Sequence, residues 1–283
     1  MKKKCLIVNA DDFGLHPAVN RAIVEGFQRG CIRSASLMAV GAAGAEAAEL
    51  AKSLPGLGVG VHLTLVAERP VLPPERIPSL VDRKGRLLPD YGAFLGRFLH
   101  GGIRRSELLA ECEAQIARIE RWGISPTHLD SHQHLHVFPG IRSICFALMK
   151  AHGIQRMRLP AEPFLFAGGA HAPLARRIAK CALTSCARMA GHEAKKRRIR
   201  MPDAFFGMTA GGHLDQRIFH RILEHLPDGI SEIMIHPGAD AKTLGSLYHW
   251  GYHWEEELAA AVSEETMQLI QRQGIELASF AIL

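Results

Sequence analysis

The chain has 283 residues, a length that suits a β/α barrel of roughly 250 residues and buries enough surface to fold without disulfides or a structural metal. Its 47% hydrophobic and 22% charged residues exclude a chain disordered as a whole. The net charge of +6 does not mark a nucleic-acid binder. Much of the excess is gathered in Lys195, Lys196, Arg197, Arg198 and Arg200, aromatics make up only 6%, and no nucleic-acid motif accompanies them.

In chain order, short apolar runs alternate with amphipathic stretches. Lys2 to Lys4 precede an apolar run at 5–8 that is too short for a signal peptide, and no later run reaches the length of a membrane span. A cytoplasmic location is expected, at most peripheral at the inner membrane surface. Strands are predicted at 5–8, 34–40, 57–65, 127–129, 157–159, 232–235 and 275–282. Helices are predicted at 17–29, 42–53, 106–122, 141–152, 214–226 and 255–273. This alternation implies an α/β protein with a mainly parallel sheet covered by helices. With no Pro/Ser-rich linker, residues 1–283 read as one domain. Two insertions break the rhythm: about 66–103, rich in Pro and Gly, and about 161–202, which carries a separate basic helix. The six cysteines lack paired metal-type spacing and are expected as buried thiols.

Reactive side chains fall at the ends of the predicted strands. Asn9-Ala10-Asp11-Asp12-Phe13-Gly14 follows the first. His62 lies late in Gly60-Val61-His62-Leu63-Thr64. Asp130-Ser131-His132-Gln133-His134-Leu135-His136 follows the run at 127–129, and His236-Pro237 follows 232–235. Catalytic groups of barrels and open α/β sheets collect at the carboxyl ends of parallel strands. Strand periodicity puts His128, Asp130, His132, His134 and His136 on one face, which is costly to bury without a metal or hydrogen-bond partners. One carboxylate and two neutral imidazoles suit zinc or another divalent first-row ion, with positions open for water and substrate. Two adjacent aspartates on an extended backbone diverge, so one can ligate while the other serves as base. Taken singly, each signal has an ordinary reading: Asp-Asp as a helix cap, His62 as a core histidine, His236 as a strand stop. Trp250, Tyr252 and Trp254 form either an aromatic wall for a sugar face or plain loop packing. The glycines at 56, 58 and 60 precede a strand rather than a helix and do not form a dinucleotide loop.

At these motifs the sequence resembles the YdjC-like carbohydrate deacetylases, whose fold is related to the NodB-type polysaccharide deacetylases. The matching segments are 9–14, 60–64, 127–136 and 236–237. Residues 11–22, 69–74 and 158–160, with Glu162 and Pro163, resemble the hopanoid-biosynthesis-associated branch. The resemblance implies a distorted or incomplete TIM-like (β/α) barrel and one divalent metal, zinc or magnesium, held by Asp12, His62 and His132. It implies Asp11 as general base and His236 as proton donor; Arg158, His134, His136, Trp250 and Tyr252 are the candidate substrate contacts. The substrate implied is an N-acetylglucosaminyl hopanoid lipid. Gln133 stands where some relatives have histidine, which leaves the roles of His134 and His136 open.

Residues 173–190 place Leu174, Ala175, Ile178, Ala179, Ala182, Leu183, Cys186, Met189 and Ala190 on one helical face, with Arg176, Arg177, Lys180 and Arg188 outside it. Followed by the basic run 195–200, this face is expected either to lie on an anionic membrane or to pack on the barrel. Two other functions fit the residues: a soluble chito-oligosaccharide deacetylase, and a non-catalytic peripheral membrane protein with a structural metal. The retained Asp11 speaks against the last.

Overall fold

The computed structural model describes residues 3–164 and 174–283, with the side chains of 174–177 outside the description. Seven strands are present among the described residues: β1 (Lys4–Phe13), β2 (Ser34–Leu37), β3 (Gly58–Leu63), β4 (Leu129–Ser131), β5 (Ala204–Phe206), β6 (Gly229–Ile235) and β7 (Ile275–Ala278). They pair in parallel in the order β4-β3-β2-β1-β6-β5. β1 is central and buried from Cys5 to Phe13, which is why it reads as a nearly continuous apolar run. β6 pairs it over Lys4–Ala10, while β7 takes Lys4–Ile7 and β2 takes Asn9–Phe13. The sheet curls into a half-barrel with helices around it.

The edges β4 and β5 do not pair directly. Single bridges from Leu129 to Met157 and from Arg156 to Arg200 span the gap. The strand predicted at 157–159 is therefore reduced to bridge positions, and β5, only three residues long, was not predicted. This irregular seam brings Arg158 to the interior.

The described helices are α1 (Pro17–Arg29), α2 (Gly44–Lys52), α3 (Tyr91–Leu99), α4 (Arg105–Arg121), α5 (Ile141–Ala151), α6 (Leu174–Lys196), α7 (Gln216–Glu224), α8 (Ala241–Leu247), α9 (Trp254–Val262) and α10 (Glu264–Arg272). The single helix predicted at 255–273 is broken at Ser263, whose backbone is extended and whose hydroxyl accepts the Thr266 N–H. A capping hydroxyl at that point favours starting a new helix over continuing the old one.

Both insertions are tied to the site. The 66–103 segment is clamped by Glu111 of α4, which accepts the N–H groups of Val71 and Leu72. The Tyr91 N–H at the start of α3 donates to Gln133 Oε1 at 2.8 Å. In α6 the buried side is Lys180, Thr184, Ala187, Ala190 and Ala194. This corrects the expected apolar stripe: Ile178 and Met189 are 61% and 53% exposed, and Ala179 and Ala182 are exposed too. Leu174, Ala175, Arg176 and Arg177 lie outside the described side chains. Small residues let α6 approach closely, so its docking face is chosen by size rather than by apolar content. Lys180, expected in solvent, is instead buried against Glu162 at 2.9 Å. Cys5, Cys31, Cys112 and Cys145 are buried as expected, whereas Cys181 is exposed and Cys186 half-buried, both on α6. No helix among the described residues is long and apolar enough to cross a membrane.

Candidate metal centre and active site

β1 does not run straight to its end. Its register against β2 shifts between Ala10 and Phe13, and Asp12 adopts φ 63, a left-handed conformation that costs a non-glycine residue free energy and clusters at functional sites. The expectation that neighbouring aspartates diverge rests on an extended backbone, and here the bulge turns both towards one imidazole. His62 Nε2, from β3, lies 3.4 Å from Asp12 Oδ1 and 4.0 Å from Asp11 Oδ2. His132 Nδ1, just past β4, lies 3.1 Å from the same Asp12 oxygen. Asp12, His62 and His132 are all buried and present one ligand atom each within 4.8 Å of one another.

The donor set fits a divalent ion. Asp12 Oδ2 and His62 Nε2 are buried without a hydrogen-bond partner, an expensive state for either atom unless a cation completes it. His62 Nδ1 is held 2.8 Å from Asp130 Oδ1, the carboxylate–imidazole contact that fixes the ring and leaves Nε2 free to ligate. Burial alone would raise the Asp12 carboxyl, but the imidazoles of His132 and His62 outweigh it and hold it well below its ordinary value. Burial disfavours charge on His62, yet Asp130, Asp11 and Asp12 together push it up to about 10. The cluster therefore attracts positive charge strongly.

Asp11 is fixed from behind. Arg158 Nη1 and Nη2 donate to its two oxygens at 2.7 and 2.6 Å, and Asn9 Nδ2 adds a third donor at 2.9 Å. The same guanidinium lies 2.9 Å from Asp130 and 2.7 Å from Glu232. Arg158 is fully buried behind Asp11, with contacts to Asp11, Asp130 and Glu232, which takes it out of the substrate contacts. Burial drives the Glu232 carboxyl up to about 8 despite Arg158. One guanidinium thus holds Asp11, Asp130 and Glu232 together.

The histidine run does not share one face, because β4 stops at Ser131 and a tight turn follows, with Gln133 and His134 at φ 56 and 57. His128 stacks on Phe280 at 3.8 Å between ring centres and meets Ser36 Oγ at 3.2 Å; burial lowers it to about 3. His136 is also buried, with Ser131 Oγ 2.7 Å from one ring nitrogen and the Arg158 carbonyl 3.1 Å from the other. Both nitrogens are committed, which removes it from the substrate contacts. His134 lines a pocket of about 470 Å³ together with Asp11, His132, His236 and Tyr252, and burial holds its imidazole well below the usual range.

Tyr248, Trp250, Tyr252 and Trp254, in the turn between α8 and α9 and at the first residue of α9, form a chain of ring contacts 5.0 to 5.8 Å between centres. Trp250 lies 5.3 Å from the His132 ring and Tyr252 lies 4.8 Å from the His236 ring. The outer pocket is lined by Tyr91, Phe138, Ala179, Leu183 and Met208. Residues not singled out from sequence include Asn9, Ser36, Glu232 and Glu257. The signal for Glu232 was present, as an acid inside an otherwise apolar strand.

A family model described as YdjC-like protein matches residues 5–272. The chain belongs to the YdjC-like family. Similar proteins include a carbohydrate deacetylase of Geobacillus stearothermophilus, 32% identical over 281 residues that cover 99% of this chain and 98% of the relative. A chitooligosaccharide deacetylase of Serratia marcescens is 37% identical over 56% of this chain and 61% of its own length. Among solved structures, a protein titled a putative cellobiose-phosphate cleavage protein, from Enterococcus faecalis, superposes with a TM-score of 0.75 at 26% identity, covering 98% of each chain. The half-barrel expected of this YdjC-like chain is thus shared with a solved structure along nearly its full length. The hopanoid-associated branch receives no separate support from these relatives.

Proposed function

We propose that this chain is a metal-dependent carbohydrate N-deacetylase that removes the acetyl group from an N-acetylglucosaminyl lipid of the hopanoid type, yielding acetate and the free amino sugar. The observation that carries the hydrolytic reading is the meeting of Asp12, His62 and His132 beside Asp11, with Asp11, His132 and His236 on one pocket. Asp12, His62 and His132 hold the ion, zinc or magnesium. When bound, it supplies a Lewis acid that polarises the acetamide carbonyl and makes a water acidic near neutral pH.

The chain's own groups do the rest. Asp11, held by Arg158 and Asn9, takes the proton of the attacking water as the new C–O bond forms. His236 gives a proton to the departing nitrogen as the C–N bond breaks. Trp250 and Tyr252 offer ring faces to the sugar, and His134 lines the acetamide end. Water and amide are consumed, acetate and amine produced, and protons balance.

Two features support a lipid-borne sugar. α6 brings Ala179 and Leu183 to the pocket wall together with Lys180, whose ammonium is held by Glu162, and the adjoining surface of α6 presents Ile178 and Met189 beside exposed Arg188, Lys195 and Lys196. Such a surface suits an anionic bilayer. A soluble chito-oligosaccharide substrate is the second reading, favoured by the name of the Serratia relative and by the Tyr252 ring on the pocket wall.

Mass spectrometry of the acetylated glycolipid and of diacetylchitobiose, each incubated with metal-loaded protein, separates the readings. A loss of 42 Da (one acetyl exchanged for hydrogen) from the glycolipid at the higher kcat/KM supports the first. Preference for diacetylchitobiose replaces it with the second, and no acetate from either rejects both.

A further inference from the structure

His236 stands at the carboxyl end of β6 with an unfinished contact. Its backbone N–H donates to Glu257 Oε2, on α9, at 2.5 Å, and Glu257 Oε1 accepts the Leu214 N–H at 3.0 Å. Glu257 is fully buried and His236 nearly so. The imidazole Nδ1 has no hydrogen-bond partner and sits 3.9 Å from Glu257 Oε2, just beyond contact. A buried ring nitrogen without a partner, aimed at a buried carboxylate about one ångström too far away, is a pair that a small rotation of the ring closes. Catalytic contacts are often long before substrate binds and shorten in the complex.

Both Glu257 oxygens are taken by backbone N–H groups, Oε2 by His236 and Oε1 by Leu214, which an amide with its single acceptor oxygen cannot match, so the carboxylate has a structural role here. A negative charge beside Nδ1 has a different use: it holds Nδ1 protonated, so that Nε2 faces the pocket, and it stabilises the imidazolium that must exist before a proton is delivered. The other titratable groups around His236 are Tyr252, whose ring lies 4.8 Å away, and Asp11, Tyr91, His132, His134 and Lys180 in the same pocket.

We propose that Glu257 is the positioning residue of the proton donor: its carboxylate receives Nδ1–H of His236, fixing the ring and keeping it charged while Nε2 hands its proton to the leaving amine. This rests on the reading of His236 as that donor. Bond changes are confined to the proton on Nε2, which passes to the amine nitrogen, and Glu257 keeps its electrons throughout.

The test compares metal-loaded wild type with Glu257→Gln, His236→Ala and the double variant. Gln removes the charge and keeps one of the two acceptor oxygens that the backbone N–H groups use. Expected for Glu257→Gln are unchanged metal content, kcat lowered about 10- to 100-fold with KM little moved, and an alkaline limb of the kcat/KM profile displaced to lower pH by about one unit. The sign follows because the donor must be protonated, and loss of the anion lowers its pKa. The double variant should be no worse than His236→Ala, since Glu257 acts through that ring. A wild-type pH profile in Glu257→Gln, or losses that multiply in the double variant, overturns the pairing. Full turnover in His236→Ala overturns the donor reading itself. Because Glu257→Gln can fail to fold, a wild-type measurement stands beside it: ¹⁵N NMR of the His236 ring should show a protonated, hydrogen-bonded Nδ1. A bare Nδ1 with the proton on Nε2 in the neutral ring contradicts the proposal.

Discussion

The floor of the site and its rim are built on different principles. The floor comes from the strands: Asp11 and Asp12 from the end of β1, His62 from β3, Asp130 from β4 and Glu232 from the middle of β6, with Arg158 from the seam between the sheet edges. All are buried, and Arg158, Asp11 and Asp130 hold one another in contacts of 2.6 to 2.9 Å. The rim comes from segments outside the sheet: the 66–103 excursion, α6 and the aromatic ladder 248–254. Its contacts are ring faces and half-exposed apolar side chains. A floor assembled from mutually compensating charges tolerates little change, because deleting one member strands its partners. A rim made of apolar surface can change its choice of substrate at small cost. Under the proposed function, chemistry belongs to the first and selectivity to the second.

The largest effect should come from the floor. Asp11→Asn is expected to lower kcat by about 10²–10⁴-fold while metal content stays at the wild-type level; loss of metal together with activity would make Asp11 a ligand and erase the division between the two aspartates. Next is Arg158→Met, which leaves three buried carboxylates without their cation. Denaturant unfolding should show a loss of about 3–5 kcal/mol, alongside reduced turnover, whereas a stability change under 1 kcal/mol would mean the guanidinium is not what holds the floor together.

At the rim, Leu183→Asp should raise KM for the glycolipid about tenfold, the order expected from losing one apolar contact, and leave turnover of diacetylchitobiose within about twofold. Equal damage to both substrates would show that α6 supports the fold of the site and does not select the substrate. The floor also carries a pH dependence. Glu232 has its carboxyl raised from 4.5 to about 8, so the folded state binds a proton that the unfolded chain has released. The resulting stability falls as pH rises from about 4.5 to 8 and is flat beyond. Glu232→Gln should remove that part of the slope, as read from unfolding midpoints across the range.

The same division explains what was legible in sequence. Strands β1, β3 and β6 announce themselves as apolar runs because they are buried on both faces, and the acids and histidines at their ends could be placed on one rim before any coordinates. The Asp12 bulge could not, since nothing in Asp11-Asp12 specifies a left-handed residue inside a strand. Nor could the fate of His128 and His136: period-two reasoning needs the strand to continue, and β4 is three residues long. Arg158 was read as a substrate contact because a lone arginine after an apolar run carries no sign of facing inward; its burial depends on acids 147 and 74 positions away. On α6 the apolar stripe was real in the sequence, but the packed face was settled by Thr184, Ala187, Ala190 and Ala194, whose small size lets the helix approach.

The claim on which the rest depends is that Asp12, His62 and His132 hold one divalent ion. Elemental analysis of the purified protein, dialysed against zinc and then against metal-free buffer, tests it directly when wild type is set beside Asp12→Ala, His62→Ala and His132→Ala. One equivalent per chain in the wild type, and well below one in each folded variant, is the predicted result. A full equivalent retained by all three variants would place the ion elsewhere and contradict the account.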